Sequence, residues 1–491
     1  MAGRSIIRPT AMILHVNHLQ PGVAAAAGQT VASLLTLVEE ARLDARLLAS
    51  LRLHLDWIQY RANFRDPVSL RRAADADGQP LTLAEIAVDL RRPADAPAGL
   101  RWALRSLGPE GDDGDDRTWL EAFGPLRGSI IWRFNDLFWK RLTDWEAASG
   151  RGFEQALPSG RSDANHPEAV ADSVADFWTL LRELDKRGGL PAEIFVLEIG
   201  VGTGTRAALW LDRFQALDEE RGTGYYPRLR FLLGDYSLPT LDRALSAVER
   251  HRELVSILAM DAHNPLKVLS FLRYKILSIH LTNVYDNLAV DELVRRDGRL
   301  YLVEARAYLD AATAARIAGE FAITPAALPS TIERLLELGP EVLGDRARGA
   351  AFWRQVWDGL RLDERLRRLA GPAEAPLPPG VQVEHLEDML AAAPDDVRFH
   401  ISRGAAESFA NTLPLLHPRG YLHVQDIFVT SMEEYRHGFR GPGKLDGSVI
   451  NWVNGAMLGA VAARAGYDVH FAPFRYRPNS RTSVLYTTQR D

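Results

Sequence analysis

A chain of 491 residues, 46% of them hydrophobic, is long enough for one main globular core with additions. A formal net charge of −6 at pH 7 offers no basic stripe for neutralising many phosphates, so nucleic acid is not expected as a partner. There is no cysteine, which excludes disulfides, thiolate metal sites, iron–sulfur clusters and sulfur nucleophiles.

The N-terminus, "MAGRSIIRPTAMILHVNHLQ", lacks the charged start, clean apolar run and small-residue cleavage site of a secretory signal, and no uncharged apolar stretch is long enough to span a bilayer. A cytoplasmic protein without a membrane partner is therefore expected. Apolar residues recur at helical spacing over 30–60, and similar patterns continue in "PLTLAEIAVDLRR" and "AGLRWALRSL". The acidic run "PEGDDGDDR" lacks EF-hand spacing and reads as a solvated loop. "SIIWRFNDLFWKRLTDWEAAS" and "EAVADSVADFWTLLRELDKRG" are helical again, the second stopping at Gly188-Gly189. Residues 1–189 thus read as an N-terminal helical region leading into the core.

From 190 the pattern alternates. Short apolar strands at 194–200, 229–235, 255–261 and 275–283 are separated by helical stretches, the signature of an α/β protein with a parallel, doubly wound sheet. "RRDGRLYLVEARAYL" reads as a hairpin or returning strand and closes the first part of the core, 190–309. The period is then helical to about residue 370, and the linker "GPAEAPLPPG" ends what is expected to be an inserted helical cap, 310–380. The second part of the core, 381–491, contains helix "RGAAESFANTLPLLH", strand "GYLHVQDIFV", helix "NWVNGAMLGAVAARAG" and strands "YDVHFAPF" and "SVLYTTQ".

The informative stretch is "FVLEIGVGTGTRAALWL", a strand, a glycine loop and a helix. Gly200, Gly202 and Gly204 fall as G-x-G-x-G, and Thr205 stands where the dinucleotide fingerprint needs its third glycine. No Gly-Lys-Ser/Thr follows, so a Walker loop is absent too. What remains, Glu198 to Gly204, resembles the first motif of class I S-adenosylmethionine-dependent methyltransferases. Its glycines allow close backbone approach to the aminoacyl end of the cofactor, and Glu198 can orient the loop or meet the cofactor's ammonium. Asp235 ends the second strand, followed by Tyr236, where a carboxylate can accept both hydrogen bonds of a ribose diol. After the third strand, Asp261 can hold an adenine amino group with the Ala262 amide on the ring. Asn283 ends the fourth strand. The histidines at 263, 280, 423 and 437 show no ligand spacing such as H-E-x-x-H, so no metal is expected.

A narrower resemblance rests on "LEIGVGTGT", "GDYSLPTLDRAL", "LTNVYDNLAVDELVRRDG", "FHISRGAAESFANTLPLLHPRGYLHVQDIFV" and "EYRHGFRGPGKLDGSVINWVNGAML". Together these resemble the MidA-like methyltransferases, the family of the mitochondrial complex I assembly factor that methylates arginine. The likeness runs from about residue 160 to the C-terminus, leaving out the 310–370 segment. The chain departs from the family pattern at Val284, Asn287 and Ala289, at Gln425-Asp426-Ile427, and at Ser448-Val449. The resemblance implies S-adenosylmethionine as cofactor and a protein or peptide acceptor, with an arginine nitrogen as one acceptor; a small-molecule acceptor or a non-catalytic assembly role are the alternatives. A guanidinium acceptor would call for carboxylates that grip it bidentately. The candidates are Asp286, matching the family's aspartate, with Asp426 and Asp446, and Tyr285 lining the methyl channel. Asp286 can alternatively cap a helix "NLAVDELV", on which Asp291 would be exposed, and "EYRHGFRG" reads as a lid or a solvated loop.

Overall fold

The computed structural model describes residues 13–17, 24–41, 45–56, 62–92, 94–107, 117–157, 159–437 and 441–490. Most of the acidic run "PEGDDGDDR" and the centre of "EYRHGFRG" lie outside them.

Seven strands form the sheet that carries the glycine loop: β1 Ile194–Ile199, β2 Leu229–Asp235, β3 Val255–Ala259, β4 Ile276–Thr282, β5 Leu416–Asp426, β6 Tyr467–Pro473 and β7 Ser483–Gln489. Their spatial order is β3-β2-β1-β4-β5-β7-β6. β1 to β5 are mutually parallel, and β7 is antiparallel to both β5 and β6. This is the Rossmann-like order of class I methyltransferases. The strand order reverses between β1 and β4, which opens a crevice at the carboxyl ends of these strands.

Both faces of the sheet are covered, which is why its strands read as nearly continuous apolar runs. Leu197, Ile199, Ile279 and Leu281 pack on one side with Phe409 and Leu458. On the other side Val196, Phe231 and Leu233 meet Phe177, Trp210 and Phe214. Two helices matter for the site: α1 (Ile130–Lys140) and α2 (Thr205–Arg221), the latter starting directly after the glycine loop.

The expected helical N-terminal region and helical cap require correction. Residues 51–56, 68–74 and 80–89 are strands, and 361–368 is a strand as well. They join 299–310, 291–296 and 397–401 in a second sheet of ten strands. That sheet is assembled from both the N-terminal region and the insertion between β4 and β5, so neither 1–189 nor 310–380 stands as a separate helical unit. Helices Ala311–Phe321, Leu328–Leu338 and Arg346–Gly359 do occupy the first part of the insertion.

Buried ion pairs account for the misreading. In "RLDERLRR" the inward row is Leu362, Glu364 and Leu366; Glu364 is buried because Arg71 and Arg398 pair with it. In "PLTLAEIAVD" Glu85 is buried against Arg296 at 2.7 Å. Charged residues on a buried strand face imitate the polar face of an amphipathic helix. The segment "NLAVDELV" is likewise a strand, Asp291–Arg296, preceded by the short turn Tyr285–Asn287. Asp291 is fully buried and paired with Arg127 at 2.5 Å, not exposed on a helix, and Asp286 caps no helix of this segment.

Candidate functional site

A cavity of about 650 Å³ opens at the switch point. Of the residues expected to hold a cofactor, Glu198, Gly200, Gly202, Asp235, Tyr236, Asp261, Ala262 and Asn283 all line it. Gly204 does not; it packs behind the loop, where an added Cβ would lie 2.6 Å from the Ala244 Cα. All three loop glycines have positive φ, 74°, 54° and 76°. At Gly202 an added Cβ would meet only Phe153, at 3.6 Å, so packing within the chain does not require glycine there; its left-handed φ and its place on the cavity wall do.

The carboxylates near the loop are held in distinct ways. Asp235 accepts backbone N–H groups of Ser237, at 3.0 Å, Tyr236 and Gly202; burial nevertheless pushes its carboxyl up to about 6. Asp261 is bonded through Oδ1 to the backbone N–H and Nδ1 of His263, both at 2.9 Å, and these bonds lower it. For His263, burial disfavours the cation, but Asp261 prevails and the imidazole is raised overall. Glu198 is buried, which raises it, against the opposing pull of Arg206. Asn283 sits at φ 50° and its N–H donates to the Gln425 carbonyl, fixing the end of β4 next to β5.

The roof comes from residues to which the sequence assigned no role. α1 presents Trp132, Asn135, Asp136, Trp139 and Lys140 to the cavity, a stripe at three- and four-residue spacing. Trp139 Nε1 donates to Asn287 Oδ1 at 3.1 Å, and Asn135 Nδ2 to the Asn287 carbonyl at 2.8 Å. Phe153 meets Trp139 edge-on at 5.6 Å. The next residue, Glu154, receives the Thr203 hydroxyl from the glycine loop. The signal in the sequence was the aromatic and polar run "IIWRFNDLFWK", whose second face has no purpose unless something is held against it. Arg206 was also overlooked, though it is the second residue of α2.

The four expected catalytic residues do not line the cavity. Asp426 is fully buried and accepts the backbone N–H groups of Tyr285, Asp286 and Ile427 at 2.9, 3.3 and 2.8 Å. Burial pushes its carboxyl up to about 7. Burial and the adjacent Asp426 raise Asp286 well above the ordinary carboxylate range. Tyr285 is buried beside them. Asp446, at φ 53° in the hairpin between Gly443–Leu445 and Ser448–Ile450, accepts from Trp145 Nε1 at 3.0 Å and Arg151 Nη2 at 2.6 Å. These carboxyls anchor backbone and neighbouring side chains, and the bidentate clamp expected of them is not assembled in the cavity. Val284, where the family pattern has glutamate, is buried against the Cα of Gly200.

Among the described residues no three histidines or carboxylates gather as metal ligands, and no helix is long and apolar enough to cross a membrane. No family model and no curated protein matches the sequence. Solved structures similar to this chain include a protein from Burkholderia thailandensis bound to S-adenosyl-homocysteine, 12% identical, covering 75% of this chain and 88% of that one, with a TM-score of 0.44. The CcbJ methyltransferase from Streptomyces caelestis is 12% identical over 66% of this chain and 90% of its own, TM-score 0.30. An O-methyltransferase family protein from Burkholderia thailandensis is 12% identical over 73% and 72%, TM-score 0.27.

Proposed function

We propose that this chain is an S-adenosylmethionine-dependent methyltransferase acting on a small molecule. The observation that carries the reading is the union of a left-handed glycine loop, the strand-end carboxylates Glu198 and Asp235, and one shared cavity at the switch point of this strand order. These groups fit the adenosyl cofactor: the loop admits close backbone approach, Asp235 can take a ribose diol, and Asp261 with Ala262 can meet an adenine edge. Bound there, the cofactor supplies an already activated methyl group on sulfur.

The task left to the protein is to position an acceptor, exclude water and receive the acceptor's proton where it has one. Asp136, Glu154 and His263 are groups on the cavity wall able to take a proton. A small acceptor is favoured by the aromatic walls that Trp132, Trp139 and Phe153 give the cavity. The carboxylates expected to grip an arginine side chain, Asp286, Asp426 and Asp446, are not on those walls.

Calorimetric titration with S-adenosylmethionine, S-adenosylhomocysteine and NAD tests the first half, on the parent and on Gly202→Val. Binding of the two adenosyl ligands, abolished in the variant, is expected; binding of NAD alone or of nothing would sink the assignment. Incubation with tritiated cofactor and separate metabolite and peptide pools tests the second half. Label in the metabolite pool is expected, label confined to peptide would restore the protein acceptor, and label in neither would favour a non-catalytic role.

A further inference from the structure

α1, 11 residues and about 16 Å long, crosses the cavity roof. Its last turn lies over the cofactor side: Lys140 Nζ stands 5.8 Å from the ring of Tyr236, the residue after the strand-end carboxylate Asp235. Its first turn follows Arg127, which belongs to the cavity wall and holds Asp291 through its backbone N–H at 3.2 Å and its Nη1 at 2.5 Å. Asp291 lies two residues beyond Ala289, where the stretch of wall that begins at Asn283 ends. Arg127 therefore stands at the opposite end of α1 from Asp235.

The cations of the wall differ in where their partners lie. Arg206, Lys140 and His263 pair with Glu198, Asp136 and Asp261, which line the cavity too and offset them there. Arg133 pairs with Glu333 where both side chains are open to solvent. The partner of Arg127 is behind the wall: the Asp291 side chain is fully buried, while that of Arg127 is 35% exposed. Asp291 also feels the charge of Arg403, so one buried carboxylate serves two cations. Among the described residues Nε and Nη2 of Arg127 donate to no protein group, and together they form the side-on fork that matches a carboxylate. Trp132, its ring fixed by an Nε1 bond to the Leu126 carbonyl at 2.9 Å, adds apolar surface to the same wall. The N-terminus of α1 is already taken, because Glu121 accepts the Ile130 N–H at 2.7 Å and the Ser129 hydroxyl at 2.6 Å. A phosphate would lack those donors; a planar carboxylate needs only the fork.

Resting on the methyltransferase reading above, we propose that the methyl acceptor carries a carboxylate, which Arg127 binds through Nε and Nη2 while another atom of the acceptor receives the methyl group. Arg127 is thereby the specificity-determining residue for the acceptor, and the carboxylate is a handle that is not itself methylated. The acceptor's lone pair forms the bond to the methyl carbon, and the carbon–sulfur pair stays on sulfur, giving S-adenosylhomocysteine. A proton carried by the attacking atom leaves to the wall bases already named.

The test incubates the protein with tritiated S-adenosylmethionine and a deproteinised cell extract. Labelling of small molecules should vanish when the extract's carboxylates are first converted to amides with a carbodiimide and methylamine, and should survive phosphatase treatment of the extract. The label should also resist mild alkali, which would release it from a methyl ester. Arg127→Gln should raise the extract concentration for half-maximal labelling about tenfold or more, while S-adenosylhomocysteine affinity in calorimetry stays within about twofold. Because that change leaves Asp291 buried without its ion pair, the double variant Arg127→Gln/Asp291→Asn, neutral on both sides, decides if the single variant does not fold. Full labelling of the amidated extract, loss of label to phosphatase or alkali, unchanged half-maximal labelling in the folded variant, or weakened S-adenosylhomocysteine binding overturns the proposal. A parent that labels no small molecule overturns the reading on which it rests, a distinct result.

Discussion

The hydroxyl of Thr203, inside the glycine loop, donates to Glu154 at 3.1 Å across a sequence separation of 49 residues. Glu154 also receives Asn165 Nδ2 at 3.2 Å, so Glu154 and Asn165, both on the cavity wall, are tied to the loop. The N-terminal half of the chain is thereby part of the site. Thr203→Val should cost about 1 kcal/mol of closure and raise the dissociation rate of S-adenosylhomocysteine about fivefold. Stopped-flow release measures this, and an unchanged rate would show that the segment is not a closing element.

Asp235 gives a pH dependence to cofactor binding. A ribose diol donates hydrogen bonds, so it needs the ionised carboxylate, and burial raises that carboxyl to about 6 in the free protein. Affinity should be full above about pH 6 and fall up to tenfold per unit below it. Asp235→Asn should bind more weakly at pH 8 and lose the pH step, as read from titrations between pH 5 and 8. The folding term has the opposite sign: a carboxyl raised by folding favours the native state below its unfolded value and loses that advantage as pH rises through about 6.

A second pH effect concerns stability. His280 and His423 are buried edge to face with Nδ1 atoms 3.3 Å apart, and burial pushes His423 down to about 3 and His280 down also. The unfolded chain binds protons at about pH 6.5 and the native one does not, so stability is present above that value and is lost as pH falls. Each histidine contributes about 1.4 kcal/mol per pH unit to the slope. Replacing His423 by Phe, whose ring can keep the stack on Tyr486 seen at 4.8 Å, should remove about half of it. Urea unfolding at pH 4.5, 5.5 and 6.5 gives the comparison.

Two loop glycines should respond differently to alanine. Gly204→Ala forces a Cβ against the Ala244 backbone at 2.6 Å as well as a left-handed residue, a loss of about 2–4 kcal/mol. Gly202→Ala meets no close atom and should cost about 1 kcal/mol from its φ alone. Denaturant midpoints distinguish them, and equal losses would contradict the packing.

Asp446 should behave as a structural anchor. Asp446→Ala leaves Trp145 Nε1 without its acceptor and breaks the pair with Arg151, about 1–3 kcal/mol in stability. Methyl transfer per folded molecule should be unchanged. A large fall in turnover with normal stability would return Asp446 to the reacting centre.

The sequence by itself determined the main sheet and one wall of the cavity, because both rest on local rules. The apolar strands 194–199, 229–235 and 276–282 follow from burial on both faces, and the left-handed turns of the loop follow from glycine spacing. The tertiary structure alone decided the second sheet, since the partners that neutralise Glu85, Glu292 and Glu364 come from distant parts of the chain. It also decided which carboxylates face the cavity: Asp286 and Asp426 are near in sequence pattern to the site, yet backbone N–H groups and burial claim them. Direction and desolvation of a side chain depend on what packs around it, and only the assembled fold brings α1 over the loop and Arg206 beneath it.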